Sequence, residues 1–174
     1  MATAMAAFDG PIIAAVNGYA ITGGFELALA CDVIIASTEA KFADTHARVG
    51  ILPGWGLSQK LPRLIGLSRA KQISLTGNTI DADRACEWGL VNEVLEPADL
   101  IPRCEQLAQD MNSCVPAVIK QYKQMIDDGF SMPLVDALEF EEAKAIESAR
   151  LASAAMIAGR KDKVIERGRD QAKE

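Results

Sequence analysis

The sequence lacks the features that mark several large classes of protein. Its four cysteines form no CxxC pair, and with a single histidine in the chain they offer no zinc-type spacing. It has no run of lysines and arginines, and its net charge of −6 does not suit wrapping a nucleic acid. The first sixteen residues contain no basic segment and no apolar stretch long enough for a signal peptide or a membrane span. We therefore expect no metal site, no nucleic-acid partner and no membrane partner. The net charge does not exclude the binding of a small anionic ligand.

The composition is that of an ordinary globular protein. The chain has 174 residues, of which 49% are apolar and 24% charged, enough for one domain with a sizeable core. The cysteines are predicted to be free core thiols in a reducing compartment, which indicates the cytoplasm or an organellar matrix. They are Cys31, Cys86, Cys104 and Cys114.

The first third of the chain reads as alternating strands and helices. Buried strands are predicted at Pro11–Val16 and Val33–Ser37, with a short third strand at Lys41–Ala43. Between the first two, an apolar helix is predicted from Phe25 to Cys31. Strand, helix and strand joined by tight turns predict an α/β fold. A fully apolar first strand needs neighbours on both faces, so a segment that should lie beside it is expected to be missing.

The rest of the chain reads mostly as helices, with one further strand at Leu90–Leu95. We accordingly predict a partial α/β core over residues 1–66 and a helical region over residues 67–174. Asp81 is a predicted N-cap, and Gly77 and Gly89 are predicted helix stops. The predicted helices are Gly56–Leu64, Ser68–Leu75, Asp81–Trp88, Pro97–Asn112, Pro116–Asp128, Pro133–Leu151 and Ala155–Arg167.

Glu26 is the most informative single residue, because every other side chain of its predicted helix is apolar. An apolar helix is normally buried, and a buried unpaired carboxylate is costly enough to suggest a working group. The alternative is a capping box, in which Gly23 is the N-cap and Glu26 bonds back to its own helix start. Local physics leaves both open. Gly23 and Gly24 would let a ligand oxygen approach the free N–H groups of the helix start, although such a glycine pair is weak evidence alone.

Five segments in succession resemble the motifs of the enoyl-CoA hydratase/isomerase, or crotonase, family. The resemblance implies a spiral core of ββα turns and a helical C-terminal region that packs into trimers, often two to a hexamer. It also implies that the N-terminal part of the domain, roughly its first third, is absent from this chain. The segments are Ile13–Asp32, Phe42–Gly54, Leu61–Gly66, Leu75–Gly77 and Ala85–Asn92.

The same resemblance implies a lyase or isomerase of fatty acid metabolism whose substrate is a coenzyme A thioester. Hydration of a 2-enoyl-CoA or shift of its double bond would pass through a thioester enolate held by two backbone N–H groups. Gly23 would supply one of them, and Glu26 would be an acid/base carboxylate. The thioester is its own electron sink, so no metal or redox cofactor is implied. The implied substrate-binding residues are Ile21, Thr22, Thr45, Gly54 and Trp55.

Two departures from the family pattern keep alternatives open. The second N–H donor belongs to the absent part, and losing one donor typically costs about 10²–10³ in rate. In addition, His46 stands where the family's hydratases have a second glutamate. His46 can serve as an acid or base, can be a polar loop residue without such a role, or can give way to Asp44. An isomerase, a hydrolase or a decarboxylase also fits, as does a non-catalytic acyl-CoA-binding or assembly module or an inactive truncated paralogue.

Two further residues near these motifs have competing interpretations. Trp55 can wall an acyl pocket or be a core aromatic at a tight turn. Arg48 can meet a CoA phosphate, although a solvated ion pair with Asp44 is the safer prediction.

Overall fold

The computed structural model describes residues 2–151 and 153–172. They form two compact units, the first ending at Gln121 and the second beginning at Tyr122. The strands are β1 (Ile13–Val16), β2 (Tyr19–Ile21), β3 (Val33–Ser37), β4 (Lys41–Ala43), β5 (Ile80–Asp81) and β6 (Glu93–Leu95). The helices are α1 (Ala2–Ala6), α2 (Gly23–Ala28), α3 (His46–Val49), α4 (Leu57–Ile65), α5 (Leu67–Thr76), α6 (Ala82–Glu87), α7 (Pro97–Asn112), α8 (Pro116–Phe130), α9 (Leu134–Leu151) and α10 (Ala154–Gln171).

The strands of the first unit make two three-stranded sheets, ordered β1-β3-β6 and β2-β4-β5. The pairs β1/β3, β3/β6 and β2/β4 are parallel, and only the β4/β5 pair is antiparallel. β1 and β2 thus belong to different sheets and are followed by helix α2. The next two strands repeat this arrangement, because β3 pairs with β1 and β4 pairs with β2. This repeat of two strands and a helix confirms the predicted α/β core.

The main core of the first unit lies between the strands and helices α2, α4, α5 and α6. At its centre the rings of Phe25 and Phe42 pack with centroids 5.6 Å apart, and both side chains are fully buried. A second, smaller cluster joins Ile35 of β3 to Leu100 and Cys104 of α7. Alternate side chains of β1 pack against these two clusters, but all four of its residues are only partly buried, so the prediction of a buried first strand holds only in part.

Several predicted elements differ from the observed ones at their ends. Strands β3 and β4 and helix α7 have the predicted bounds, and Asp81 caps α6 by accepting the Arg84 N–H at 2.9 Å. Helix α2 begins two residues early, at Gly23, because Thr22 rather than Gly23 is its N-cap. The short elements α1, β2, α3 and β5 are not predicted from the sequence, since two to five residues rarely display a hydrophobic period. The predicted division at residue 66 stays a prediction.

The four cysteines are all free thiols, but only part of the prediction for them holds. Cys104 is buried and Cys31 is half-buried, whereas Cys86 and Cys114 are exposed. The prediction of a core position is therefore wrong for Cys86, on the solvent side of α6, and for Cys114, just beyond the end of α7. Burial raises the pKa of the Cys31 and Cys104 thiols, and the Asp32 carboxylate adds to the rise at Cys31.

The C-terminal helices carry many apolar side chains at their surface. Neither α8 nor α9 has a buried residue, although both are long and carry several apolar side chains. The turn between them borders a concave apolar surface, lined among others by Phe130, Met132 and Leu134. Within the described ranges no helix combines the length and the apolar character that crossing a bilayer requires.

Candidate active site

Helix α2 carries two of the predicted site residues and begins in an unusual conformation. Its N-cap, Thr22, has φ 54° and ψ −111°, and it is the one described residue other than glycine with a positive φ. Such backbone costs on the order of 1–3 kcal/mol and persists only where neighbours hold it. Two contacts do so here: the Thr22 N–H donates to the Ala43 carbonyl at 2.9 Å, and its hydroxyl is hydrogen-bonded to that of Thr45. The start of α2 is thereby tied to the end of β4.

Glu26 is buried, with 3% of its surface exposed, and its two carboxylate oxygens have different surroundings. Oε1 accepts the Trp55 N–H at 2.7 Å and the Leu57 N–H at 3.4 Å, at the start of α4. Glu26 therefore caps α4 and not its own helix, so the capping-box alternative is wrong. These two bonds and the positive end of α4 offset the cost of burying the carboxylate.

His46 and Asp44 complete a buried group with Glu26. The His46 Nε2 lies 3.6 Å from the Glu26 Oε2, and its Nδ1 lies 2.7 Å from the Asp44 Oδ1. His46 and Asp44 are 5% and 3% exposed, so the alternative of a polar loop residue is wrong for the position of His46. Both side chains reach the site because the chain leaves β4 at Ala43 and turns at once into α3. An extended, alternating backbone does not continue through them.

Trp55 and Gly23 lie against each other beside this group. A Cβ atom placed on Gly23 would stand 3.5 Å from the Trp55 ring, and Trp55 is 45% exposed. As the first residue of α2, Gly23 has no carbonyl one turn earlier in the helix to accept its N–H. Trp55 is thus at the surface, which excludes the core-aromatic alternative. Its backbone holds Glu26 while its ring covers Gly23.

The remaining predicted residues lie around this centre to different degrees. Ile21, the last residue of β2, is partly exposed directly before Thr22. Thr45 is tied to Thr22, and Gly54 precedes Trp55 with open space where a side chain would lie. The guanidinium of Arg48 contacts the Asn78 side chain at 3.4 Å, whereas Asp44 bonds His46. The predicted ion pair between Arg48 and Asp44 is therefore wrong.

Sequence reasoning missed the two N–H groups that hold Glu26. They belong to Trp55 and Leu57, 29 and 31 residues further along the chain. The available signal was the Pro-Gly-Trp-Gly segment before a predicted helix, because a helix start presents free N–H groups to an anion. Nothing in the sequence says which anion that is.

Comparison with known proteins identifies relatives of the chain. The family model described as enoyl-CoA hydratase/isomerase matches residues 2–162. A probable peroxisomal enoyl-CoA hydratase 1 of Arabidopsis thaliana is 47% identical over 78% of this chain and 51% of its own length. A short-chain-enoyl-CoA hydratase of Clostridium acetobutylicum is 44% identical over 75% of this chain and 50% of its own. The chain thus spans about half the length of the curated relatives it matches.

Solved structures give the same result for the fold. The enoyl-CoA hydratase of Bacillus anthracis superposes with a TM-score of 0.85 at 35% identity, covering 93% of this chain and 64% of that one. A probable enoyl-CoA hydratase/isomerase of Mycobacterium abscessus superposes with a TM-score of 0.84 at 35% identity, covering 93% and 63%. The predicted crotonase-like ββα core with a helical C-terminal region is therefore confirmed. The chain belongs to the enoyl-CoA hydratase/isomerase family.

Proposed function

We propose that the protein hydrates a 2-enoyl-CoA thioester, with Glu26 and His46 as its acid–base pair. The observation that carries the proposal is the distance of 3.6 Å between the Glu26 Oε2 and the His46 Nε2, in a buried group beside Gly23. That separation is longer than a hydrogen-bond distance, and it allows one water oxygen to lie within about 2.8 Å of both atoms. The names of the relatives, which are enoyl-CoA hydratases, support the same reaction.

The proposed reaction adds water across the C2=C3 double bond. The water oxygen bonds to C3, its proton passes to one member of the pair, and the π electrons move through C2 onto the thioester oxygen. The Gly23 N–H donates to that oxygen while it carries the charge. The other member of the pair then delivers a proton to C2, and a proton returns between Oε2 and Nε2 to restore the starting state. Since the thioester accepts the electrons, the proposed step uses no metal or redox cofactor.

The acyl chain is proposed to lie against the exposed apolar side chains that border Gly23. Trp55 covers this glycine, and Ile21 ends the strand that leads into it. Thr22 and Thr45 support the helix start through their hydroxyl bond, and Gly54 leaves space next to the indole. Together these residues would place the thioester oxygen at the start of α2.

Incubation of the purified protein, in its full natural reading frame, with crotonyl-CoA tests the proposal. We expect 3-hydroxybutyryl-CoA as the product, identified by mass and by NMR, with no change in a matched incubation without protein. Conversion of a 3-enoyl-CoA to the 2-enoyl isomer without hydration would instead indicate an isomerase. A non-hydrolysable acyl-CoA analogue that binds in calorimetry, in a protein that turns over neither substrate, would favour the non-catalytic acyl-CoA-binding or assembly module.

We also propose that the full-length protein is a homo-trimer or a hexamer assembled through its C-terminal helices. The proposal is supported by exposed apolar side chains, since patches of this kind mark interaction surfaces. They include Tyr122, Ile126, Phe130, Leu134, Val135 and Leu138.

Light scattering of the full-length protein is expected to give three or six times the mass of one polypeptide chain. Leu138→Glu should lower that mass by placing a charge in the contact, whereas Leu75→Glu on α5, where the side chain is 76% exposed, should leave it unchanged. A monodisperse wild-type monomer would contradict the assembly.

A reducing compartment, either the cytoplasm or an organellar matrix, is the location we propose. Its support is that all four cysteines are free thiols.

A further inference from the structure

The imidazole of His46 has two unlike neighbours. Its Nδ1 lies within hydrogen-bond distance of the Asp44 Oδ1, at 2.7 Å, whereas its Nε2 is 3.6 Å from the Glu26 Oε2. The same Asp44 oxygen accepts the backbone N–H of His46 at 3.2 Å. Asp44 therefore contacts both the imidazole ring and the backbone N–H of His46, and Asp44 itself is only 3% exposed.

This arrangement determines which ring nitrogen carries a hydrogen. An ionised carboxylate only accepts hydrogen bonds, and an oxygen that already accepts a backbone N–H suits the ionised form. The Nδ1 must then be the donor in the 2.7 Å contact. In a neutral ring the lone pair is left on Nε2, the nitrogen that faces Glu26.

We propose that Asp44 is the positioning residue of the site, which keeps the hydrogen of His46 on Nδ1 and so makes Nε2 the atom that exchanges protons with Glu26. Its catalytic consequence rests on the proposed hydration, but the position of the hydrogen does not. With Nδ1–H fixed, Nε2 takes up a proton as a base and releases it as an acid on the side where the substrate is proposed to lie. With the opposite tautomer, the Nδ1 lone pair would face a carboxylate and Nε2 could not accept a proton.

The chain offers a direct test because His46 is its only histidine. In protein labelled with ¹⁵N in the imidazole ring, one pair of ring nitrogen signals reports the tautomer without reference to activity. We expect Nδ1 to stay protonated across the pH range in which the protein is folded, so that any ring proton lost is lost from Nε2. Asp44→Ala removes the acceptor of the Nδ1 hydrogen and leaves the Glu26 carboxylate facing Nε2, so the hydrogen should move to Nε2 and Nδ1 should become the unprotonated nitrogen.

Activity provides the second readout. The carboxylate that holds a catalytic imidazole in its tautomer is worth up to about 10⁴-fold in kcat, so kcat for crotonyl-CoA should fall by about 10²–10⁴-fold in Asp44→Ala, with a smaller change in KM. Asp44→Glu keeps a carboxylate and should retain the Nδ1–H signature with partial activity. Asp83→Asn, an exposed aspartate in the first turn of α6, is the matched control and should change neither readout.

Each outcome decides one point. An unprotonated Nδ1 in the wild-type protein, or a ring spectrum that Asp44→Ala leaves unchanged, overturns the role of Asp44. The expected ring spectrum in a protein without enoyl-CoA turnover leaves the position of the hydrogen standing and removes the proposed hydration. The wild-type spectrum is decisive even if Asp44→Ala fails to fold.

Discussion

Replacing Glu26 with glutamine is expected to lower kcat/KM for crotonyl-CoA hydration by about 10²–10⁴-fold, the range of a lost acid–base group. The physical reason is that the two oxygens of the Glu26 carboxylate have different neighbours. The amide oxygen of glutamine can still accept the Trp55 and Leu57 N–H groups that Oε1 accepts now. An amide cannot take a proton at neutral pH, so the chemistry that Oε2 is proposed to perform is lost.

The fold of the Glu26→Gln variant should survive. Loss of the negative charge at the start of α4 removes about 0.3–1 kcal/mol of interaction with the helix dipole, a small part of a typical stability of about 5–15 kcal/mol. Thermal unfolding followed by circular dichroism measures this directly. Glu39→Gln, an exposed residue after β3, is the matched control and should match the wild type in rate and melting temperature.

A double variant sharpens the result. If Glu26 and His46 act as one unit, adding His46→Gln to Glu26→Gln should cost little beyond the larger single loss, because groups that share a proton are strongly non-additive. Equal rates for wild type and Glu26→Gln would end the assignment of Glu26. Losses that multiply in the double variant would mean that the two residues act independently.

Phe42→Ala is expected to reduce the free energy of unfolding by about 3–5 kcal/mol, the usual cost of truncating a buried aromatic side chain. Phe42 is fully buried in β4, with its ring 5.6 Å from that of Phe25 in α2. The truncation would leave a cavity between the helix that carries Glu26 and the strand that leads to Asp44. We therefore expect the positions of Glu26 and Asp44 to be less well fixed in this variant.

Denaturant titration at a fixed protein concentration measures the loss, since assembly would otherwise shift the apparent stability. Phe42→Leu should cost clearly less than Phe42→Ala, because it leaves a smaller cavity. Leu75→Ala is the matched control, because its side chain on α5 is 76% exposed and lies outside the proposed assembly surface, and its effect should stay within about 0.5 kcal/mol. A loss below about 1 kcal/mol for Phe42→Ala would contradict the central packing of this pair.

Much of the architecture is encoded locally. Helix α7 has its predicted bounds because Pro97 stands in its first turn and the helical spacing of apolar residues stops after Asn112. β3 has five residues, of which three are β-branched and four are buried, which is the pattern of an interior strand. The burial of Glu26 also follows from the sequence, since a helix whose remaining side chains are all apolar is normally buried.

Other features are decided by contacts between distant residues. Nothing near Thr22 predicts a positive φ for a β-branched residue, because the compensation comes from Ala43 and Thr45, about twenty residues later. The surface positions of Cys86 and Cys114 depend on which faces of their helices are covered by packing. Helical residues of this kind cannot be placed from composition alone.

The sequence by itself determined the family, most of the order of strands and helices, and the burial of Glu26, because these depend on residue types and short-range spacing. The tertiary structure alone decided what each oxygen of Glu26 does, and that Asp44 and His46 both join its buried group. The physical reason is that a hydrogen bond depends on direction and on separations of a few tenths of an ångström. Those quantities are fixed only when β4, α2 and the start of α4 have packed around the same buried group.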